Sequence, residues 1–212
     1  AVVFPGQGSQ HVGMGVGLAN KFPAAREVFE EVDDALGEPL FKLMCEGPED
    51  KLILTRNAQP ALMAVSMAMV RVVETESGKR IDELVDYVAG HSLGEYSALA
   101  AASAIDLSDV AKLLRVRGES MQAAVPVGVG AMAALLGADI NMTLEIIKIA
   151  SLEGVCDIAN DNAPGQVVIS GHINAITKAI DLCSGFGVRK AVLLPVSAPF
   201  HCSMMRPASV LM

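Results

Sequence analysis

The chain opens on an unbroken apolar run, Ala1-Val2-Val3-Phe4, cut short by Pro5-Gly6-Gln7-Gly8. That pattern predicts a buried strand over residues 1–5. Residues 23–36 predict a helix stopped by Gly37. From Pro60 to Glu76 the apolar positions Leu62, Val65, Met69, Val72 and Val73 follow helical spacing, with the proline near the first turn and Gly78 after the end. "LVDYVAG" (Leu84 to Gly90) predicts a strand. Gly94 to Ser103 predicts a helix of small residues packed closely on a sheet, and the run from Leu107 to Val125 predicts a further helix with Ser108 as its N-cap.

The pattern changes after the hinge-like Val127-Gly128-Val129-Gly130. It then predicts a strand (131–136), a helix (140–151), a strand near 155–159, a turn at "NDNAPGQ", a strand (166–170), a helix (173–184) and a strand (188–195). The order βαββαβ in about 65 residues is the split-βαβ arrangement of a ferredoxin-like domain. The fold class read from the pattern is α/β. A large domain over 1–127 and 197–212 is expected to carry a small inserted domain over 128–196.

Composition narrows this picture. The chain has 212 residues, 52% of them hydrophobic and only 4% aromatic, so Ala, Val, Leu and Met must fill the core. A net charge of -8 argues against nucleic-acid or anionic-membrane binding. The four cysteines, Cys45, Cys156, Cys183 and Cys202, stand singly without zinc-ligand spacing and read as free cytosolic thiols; no metal site is expected. No run of apolar residues is long enough to suggest a membrane span. A cytoplasmic location is expected.

The sharpest chemical signal is Gly90-His91-Ser92-Leu93-Gly94, a G-x-S-x-G set between a predicted strand and a predicted helix. That is the context of a nucleophile elbow, in which a strained turn holds the serine oxygen out from the sheet edge. The Leu93 N–H then lies at the start of the following helix, placed to donate to an oxyanion. Ser92 needs a base. His91 should point away across the turn, His172 reads as a turn or cap residue, and His11 lies in the opening glycine-rich segment. His201, in "PVSAPFHCSMM" after the last predicted strand, is the best candidate.

Arg117 falls on the apolar stripe Val110, Leu113, Leu114 and Met121, whereas Arg115 falls off it. An inward guanidinium needs a partner, either an internal carboxylate or a carboxylate on a substrate. The opening Gly6-Gln7-Gly8 resembles the start of a dinucleotide loop, but the third glycine of that fingerprint would be position 11, which is His11. The turn therefore does not read as a phosphate cradle.

Taken in order, "FPGQGSQ", "GHSLGEYSALAAAS", "RVRGESMQ", "GAMAALLG", "NAPGQVVISG" and "PVSAPFHCSMM" resemble the malonyl-CoA:acyl carrier protein transacylase family of bacterial type II fatty-acid synthesis, over essentially the whole chain. The resemblance implies an α/β-hydrolase-like large domain with a ferredoxin-like small one. It implies that Ser92 becomes malonylated, that His201 is the general acid/base, and that Arg117 clamps the malonyl carboxylate. It implies an oxyanion hole from the Gln7 and Leu93 amides, and a role for Phe200 in favouring malonyl over methylmalonyl. The substrates implied are malonyl-CoA and holo-acyl carrier protein, with no bound cofactor, and the protein is expected to be a monomer. The family's pattern runs on beyond the position of Met212, into a segment whose polar residue orients the histidine; a chain ending here is expected to leave a sheet face uncovered. A serine acyl hydrolase or thioesterase would share Ser92 and His201 without needing Arg117. A non-catalytic carrier-binding domain or an inactive fragment is the other alternative. Arg189, Lys190 and Arg206 could meet an acidic carrier, although a solvated surface is the favoured reading.

Overall fold

The computed structural model describes residues 1–196 and 198–212. The chain divides into two compact units, Ala1–Glu119 and Ser120–Met212. The segment 128–196 falls wholly within the second.

In the first unit, β1 (Val2–Phe4) is followed by α1 (Val16–Lys21), α2 (Pro23–Leu36), α3 (Leu40–Glu46), α4 (Glu49–Leu52), α5 (Thr55–Ser77) and α6 (Ile81–Leu84). Then come β2 (Val88–Gly90), α7 (Gly94–Ala101) and α8 (Leu107–Ala124), whose last turn passes the unit boundary. β1 and β2 pair in parallel, Val2 opposite Val88 and Phe4 opposite Gly90. The α2 boundaries follow the local chemistry. Pro23 supplies a preset φ at the start, and Gly37 ends the helix at φ 64. Between them Ala25, Val28, Phe29 and Val32 are buried at helical spacing. Phe29 stacks on Phe41 with ring centroids 4.3 Å apart and planes 11° from parallel.

Three expectations need correction. α5 begins at Thr55, so Pro60 lies inside the helix. The proline removes the N–H that would reach the Arg56 carbonyl and crowds that carbonyl, and the buried Ala58, Leu62 and Met63 around it hold the helix in place. The strand predicted over Leu84 to Gly90 is confined to Val88–Gly90, because Ile81–Leu84 forms a helical turn with Ile81 buried. Arg80 closes that turn by donating its main-chain N–H to the Glu83 carboxylate at 2.9 Å. Ser108 is the second residue of α8 rather than its cap, and its hydroxyl donates to Glu31 at 3.1 Å.

The second unit runs β3 (Gly130–Leu136), α9 (Ile140–Ala150), β4 (Cys156–Ala163), β5 (Gln166–His172), α10 (Ile173–Leu182), β6 (Lys190–Leu193) and α11 (Arg206–Leu211). The sheet order is β4-β5-β3-β6, and every neighbouring pair is antiparallel. Successive side chains of a strand face opposite sides, and β3 divides accordingly. Ala131, Ala133 and Leu135 pack with Ile146 of α9 and Ile176 of α10, while Met132 and Ala134 pack with Ala198, Phe200 and Met205. β5 does the same, with Ile169 on the helical face and Val168 on the other. Asp139 caps α9 by accepting the Met142 N–H at 2.8 Å. β4 is longer than the pattern predicts, because its bulges at Ile158/Asn160 and Asp161/Ala163 absorb polar residues into the hairpin.

Phe29 is 1% exposed and stacked on Phe41, so truncation leaves a cavity in the packed core. Phe29→Ala should lower the unfolding free energy by about 3–5 kcal/mol, read from the shift in the urea midpoint at constant m-value.

Candidate active site

The turn between β2 and α7 is bent beyond what a non-glycine residue normally accepts. Ser92 sits at φ 55. Among the described residues, Ser103 and His201, at φ 55 and 59, are the other non-glycine residues in that region. Ser103 is accounted for by the end of α7, where the Ala104 N–H reaches the Leu99 carbonyl and the Ser103 N–H reaches that of Ala100, both at 2.9 Å. Ser92 and His201 end no helix, and such conformations cost about 1–3 kcal/mol each. The surrounding backbone enforces the one at Ser92. The His91 N–H donates to the Phe4 carbonyl at 3.0 Å, and the Gly94 and Glu95 N–H groups return to the His91 and Ser92 carbonyls. A Cβ on Gly90 would stand 1.9 Å from the Gly94 carbonyl carbon and oxygen, and one on Gly94 would stand 2.4 Å from the Phe4 oxygen. Glycine at both positions lets strand, elbow and helix lie this close.

α8 crosses α5 just as closely. A Cβ on Gly118 would lie 2.6 Å from the Arg56 Cα. The approach brings two arginines of α8 onto polar residues of α5. Arg115 is 8% exposed, paired with Glu38 at 3.2 Å and hydrogen-bonded to Asn57. The apolar stripe had placed it off the covered face. The face is wider than the stripe because α5 and the Glu38 loop cover it with polar groups. Arg117 is half-buried. Its Nη1 donates to Gln59 Oε1 at 2.6 Å, its Nη2 donates to Ser92 Oγ at 3.1 Å, and its guanidinium lies 5.6 Å from the centre of the Tyr96 ring. Burial pushes the guanidinium below its ordinary value, with Tyr96 and Glu95 drawing it back up; it remains a cation. Among the described residues no carboxylate lies within ion-pair distance of Arg117. Of its two possible partners, the internal carboxylate is therefore not found.

The Gln7 turn is tied to this cluster through its side chain. Gln59 Nε2 donates to Thr55 Oγ1, and Thr55 Oγ1 donates to Gln7 Oε1, each at 2.9 Å. Gln59 and Thr55 are 1% and 0% exposed. Neither residue was singled out from the sequence. The signal was there: Gln59 lies three positions before Leu62 on the apolar stripe, and Thr55 lies one further turn back. Among the described residues the Gln7 and Leu93 main-chain N–H groups have no acceptor.

His201 and Phe200 belong to the second unit. His201 is exposed in the turn that follows Ala198, and Phe200 is 7% exposed within the cluster of Met132, Val168 and Met205. Beside His201, the Cys202 thiol donates to the Pro199 carbonyl at 3.0 Å, and the Ser203 N–H donates to the Asp157 carboxylate at 2.7 Å. His172 Nδ1 accepts the Val155 N–H at 2.9 Å, a structural use at the start of α10. His11 Nδ1 lies 3.1 Å from the Ser9 carbonyl oxygen. Burial pushes the Cys156 thiol up to about 11, with Asp157 adding to the rise. Among the described residues no His/Cys/Asp/Glu group could hold a metal ion, and no helix is long and apolar enough to cross a membrane.

The model of the acyl transferase domain family matches residues 1–212. The chain is 45% identical over 209 residues to malonyl CoA-acyl carrier protein transacylase of Escherichia coli K12, covering 99% of this chain and 66% of that protein. It is 45% identical over 210 residues to the protein of the same name from Bacillus subtilis 168, covering 99% and 65%. The chain thus spans slightly less than two thirds of these relatives' length. Among solved structures, acyl-carrier-protein-S-malonyltransferase from Bartonella henselae matches with a TM-score of 0.94 and 58% identity, over 99% of this chain and 67% of that one. A malonyl-transacylase in complex with its type II PKS acyl-carrier protein matches with a TM-score of 0.91 and 42% identity, over 99% and 67%.

The elbow carries its own test. Gly90→Ala places a methyl group against the Gly94 main chain, so the turn must open. Labelling of Ser92 by a fluorophosphonate should fall by at least about 100-fold, the order seen when one oxyanion donor is lost. Mass spectrometry of the labelled peptide reads it.

Proposed function

The chain belongs to the acyl transferase domain family, and from that premise we propose that it moves a malonyl group from malonyl-CoA to the phosphopantetheine thiol of an acyl carrier protein, through a malonyl-serine intermediate. The observation that carries this reading is the half-buried Arg117, whose described partners are neutral and whose Nη2 lies 3.1 Å from Ser92 Oγ. A fixed cation beside a nucleophile favours an acyl group that bears a carboxylate, which an arginine fork can bind bidentately. An ester hydrolase acting on neutral acyl groups has no use for it.

In the proposed cycle the malonyl carboxylate lies on Arg117. His201 takes the Ser92 proton as Oγ attacks the thioester carbonyl, and negative charge collects on the carbonyl oxygen. The Gln7 and Leu93 N–H groups receive that charge. The carbon–sulfur bond breaks, and His201 returns the proton to the departing CoA thiolate. The carrier thiol then gives its proton to His201, attacks malonyl-Ser92, and the serine leaves with the proton restored. The strained φ of Ser92 supports this assignment because it holds the oxygen in one direction before substrate arrives. Phe200 is assigned the role of limiting the acyl substituent. No resident cofactor is needed.

The same reading extends to architecture and setting. The β1–β2 pair with its elbow is assigned to an α/β-hydrolase-like domain over 1–127 and 197–212. The order β4-β5-β3-β6 with α9 and α10 supports a ferredoxin-like domain over 128–196. The protein is assigned to the cytoplasm, as a monomer that meets its carrier transiently.

Incubation with malonyl-CoA followed by intact mass spectrometry tests the proposal. A malonyl adduct should form, vanish in Ser92→Ala, and form about 10–100-fold more slowly in Arg117→Ala, the loss expected for charge-assisted hydrogen bonds. Acetyl-CoA should lose less than malonyl-CoA does in Arg117→Ala, because it has no carboxylate for the guanidinium to bind. CoA release without an adduct or an acylated carrier would identify a hydrolase instead.

A further inference from the structure

We infer that Thr55 and Gln59 are positioning residues, forming a one-way hydrogen-bond relay that couples the Arg117 guanidinium to the Gln7 turn. The inference rests on the transferase reading for the role of Arg117 and deepens it. The direction of the relay is set by its first member. A guanidinium can only donate, so the Gln59 carbonyl oxygen must face Arg117 and its NH2 group must face away. That NH2 donates to Thr55 Oγ1, which leaves the threonine's single hydrogen for Gln7 Oε1. Every amide orientation from Arg117 to Gln7 follows from the charge at one end.

The relay joins unlike partners. Thr55 and Gln59 are buried on the first two turns of a helix running to Ser77. Gln7 is an exposed residue in a turn whose other side-chain bond, from the Gly8 N–H to Gln10 Oε1, is local and exposed. Thr55 is therefore the described tether between the Gln7 side chain and a rigid element. Fixing that side chain limits the swing of the peptide plane whose N–H is assigned to the oxyanion. Hydrogen bonds in series polarise one another, so a cation at one end strengthens the bond at the other. The carboxylate-binding group and an oxyanion donor thereby become one coupled device. The Gln7 side chain acts here by holding its own main chain in place.

Thr55→Val removes the hydroxyl while keeping the shape, and Thr55→Ser keeps the hydroxyl. In the full-length protein, Thr55→Val should lower kcat for malonyl transfer about tenfold, the equivalent of one buried hydrogen bond, with KM within about twofold. Thr55→Ser should restore kcat to within about twofold. Combined with Arg117→Met, the loss should be smaller than the product of the two single losses, because both remove one relay. Gln7→Met breaks the same tether at an exposed position and covers the case in which Thr55→Val folds poorly. An unchanged kcat, a rise in KM alone, or losses that multiply would overturn the relay. A parallel measurement, the rate of Ser92 modification by a sulfonyl fluoride, needs no malonyl group. If the wild type forms no malonyl adduct the transferase reading fails, and the relay then stands if Gln7→Met and Thr55→Val slow this labelling about tenfold and falls if they do not.

Discussion

A guanidinium drawn half out of water must be given acceptors, and the first unit is arranged around meeting that demand at Arg117. Gln59 meets part of it and Ser92 meets another. The Gln59 bond depends on a helix crossing close enough for side chains of α5 and α8 to touch, which Gly118 permits. Gln59 then sets the orientation of Thr55, and Thr55 that of Gln7. The same cation that would recognise a substrate carboxylate thus organises the polar groups around the serine. Without its charge, the amide orientations lose their reason, and the buried Gln59 would have to find another arrangement.

The elbow meets this cluster from the other side. Its energy is stored in the backbone: a serine at φ 55, held there by bonds to the Phe4 carbonyl and by the contact of Gly90 with Gly94. Local preference and global fold disagree at Ser92, and such disagreements concentrate at working sites. Ser103 shows the contrast, since the same φ there ends a helix and stores nothing for chemistry. The second unit holds His201 in the same unusual region, in a turn anchored by the Cys202–Pro199 and Ser203–Asp157 bonds. Ser92 and His201 are thus each held in a conformation that a non-glycine residue rarely adopts.

Features with local causes were legible in the sequence. Gly37 stops α2 as expected, and the strand predicted over 131–136 is β3. The elbow was legible because strand, G-x-S-x-G and helix are adjacent in the chain. The misreadings arise where the cause is distant. Pro60 looked like the start of α5, yet tertiary packing extends the helix back to Thr55, and that extension is what carries Thr55 and Gln59 into the site. Arg115 looked exposed because its partners Asn57 and Glu38 lie 58 and 77 positions away in sequence. The run before β2 looked like strand because apolar Leu84 and Val85 do not by themselves distinguish a short helix from an extended segment. A polar residue on an apolar stripe marks a buried interaction but not its partner.

A crystal structure of the malonylated protein would show whether one arginine both binds the acyl carboxylate and organises the serine's surroundings. The malonyl carboxylate should lie on the Arg117 guanidinium at about 2.7–2.9 Å, with the ester carbonyl oxygen facing the Gln7 and Leu93 N–H groups. A malonyl group whose carboxylate points to solvent, with Arg117 still bonded only to Gln59, would contradict it.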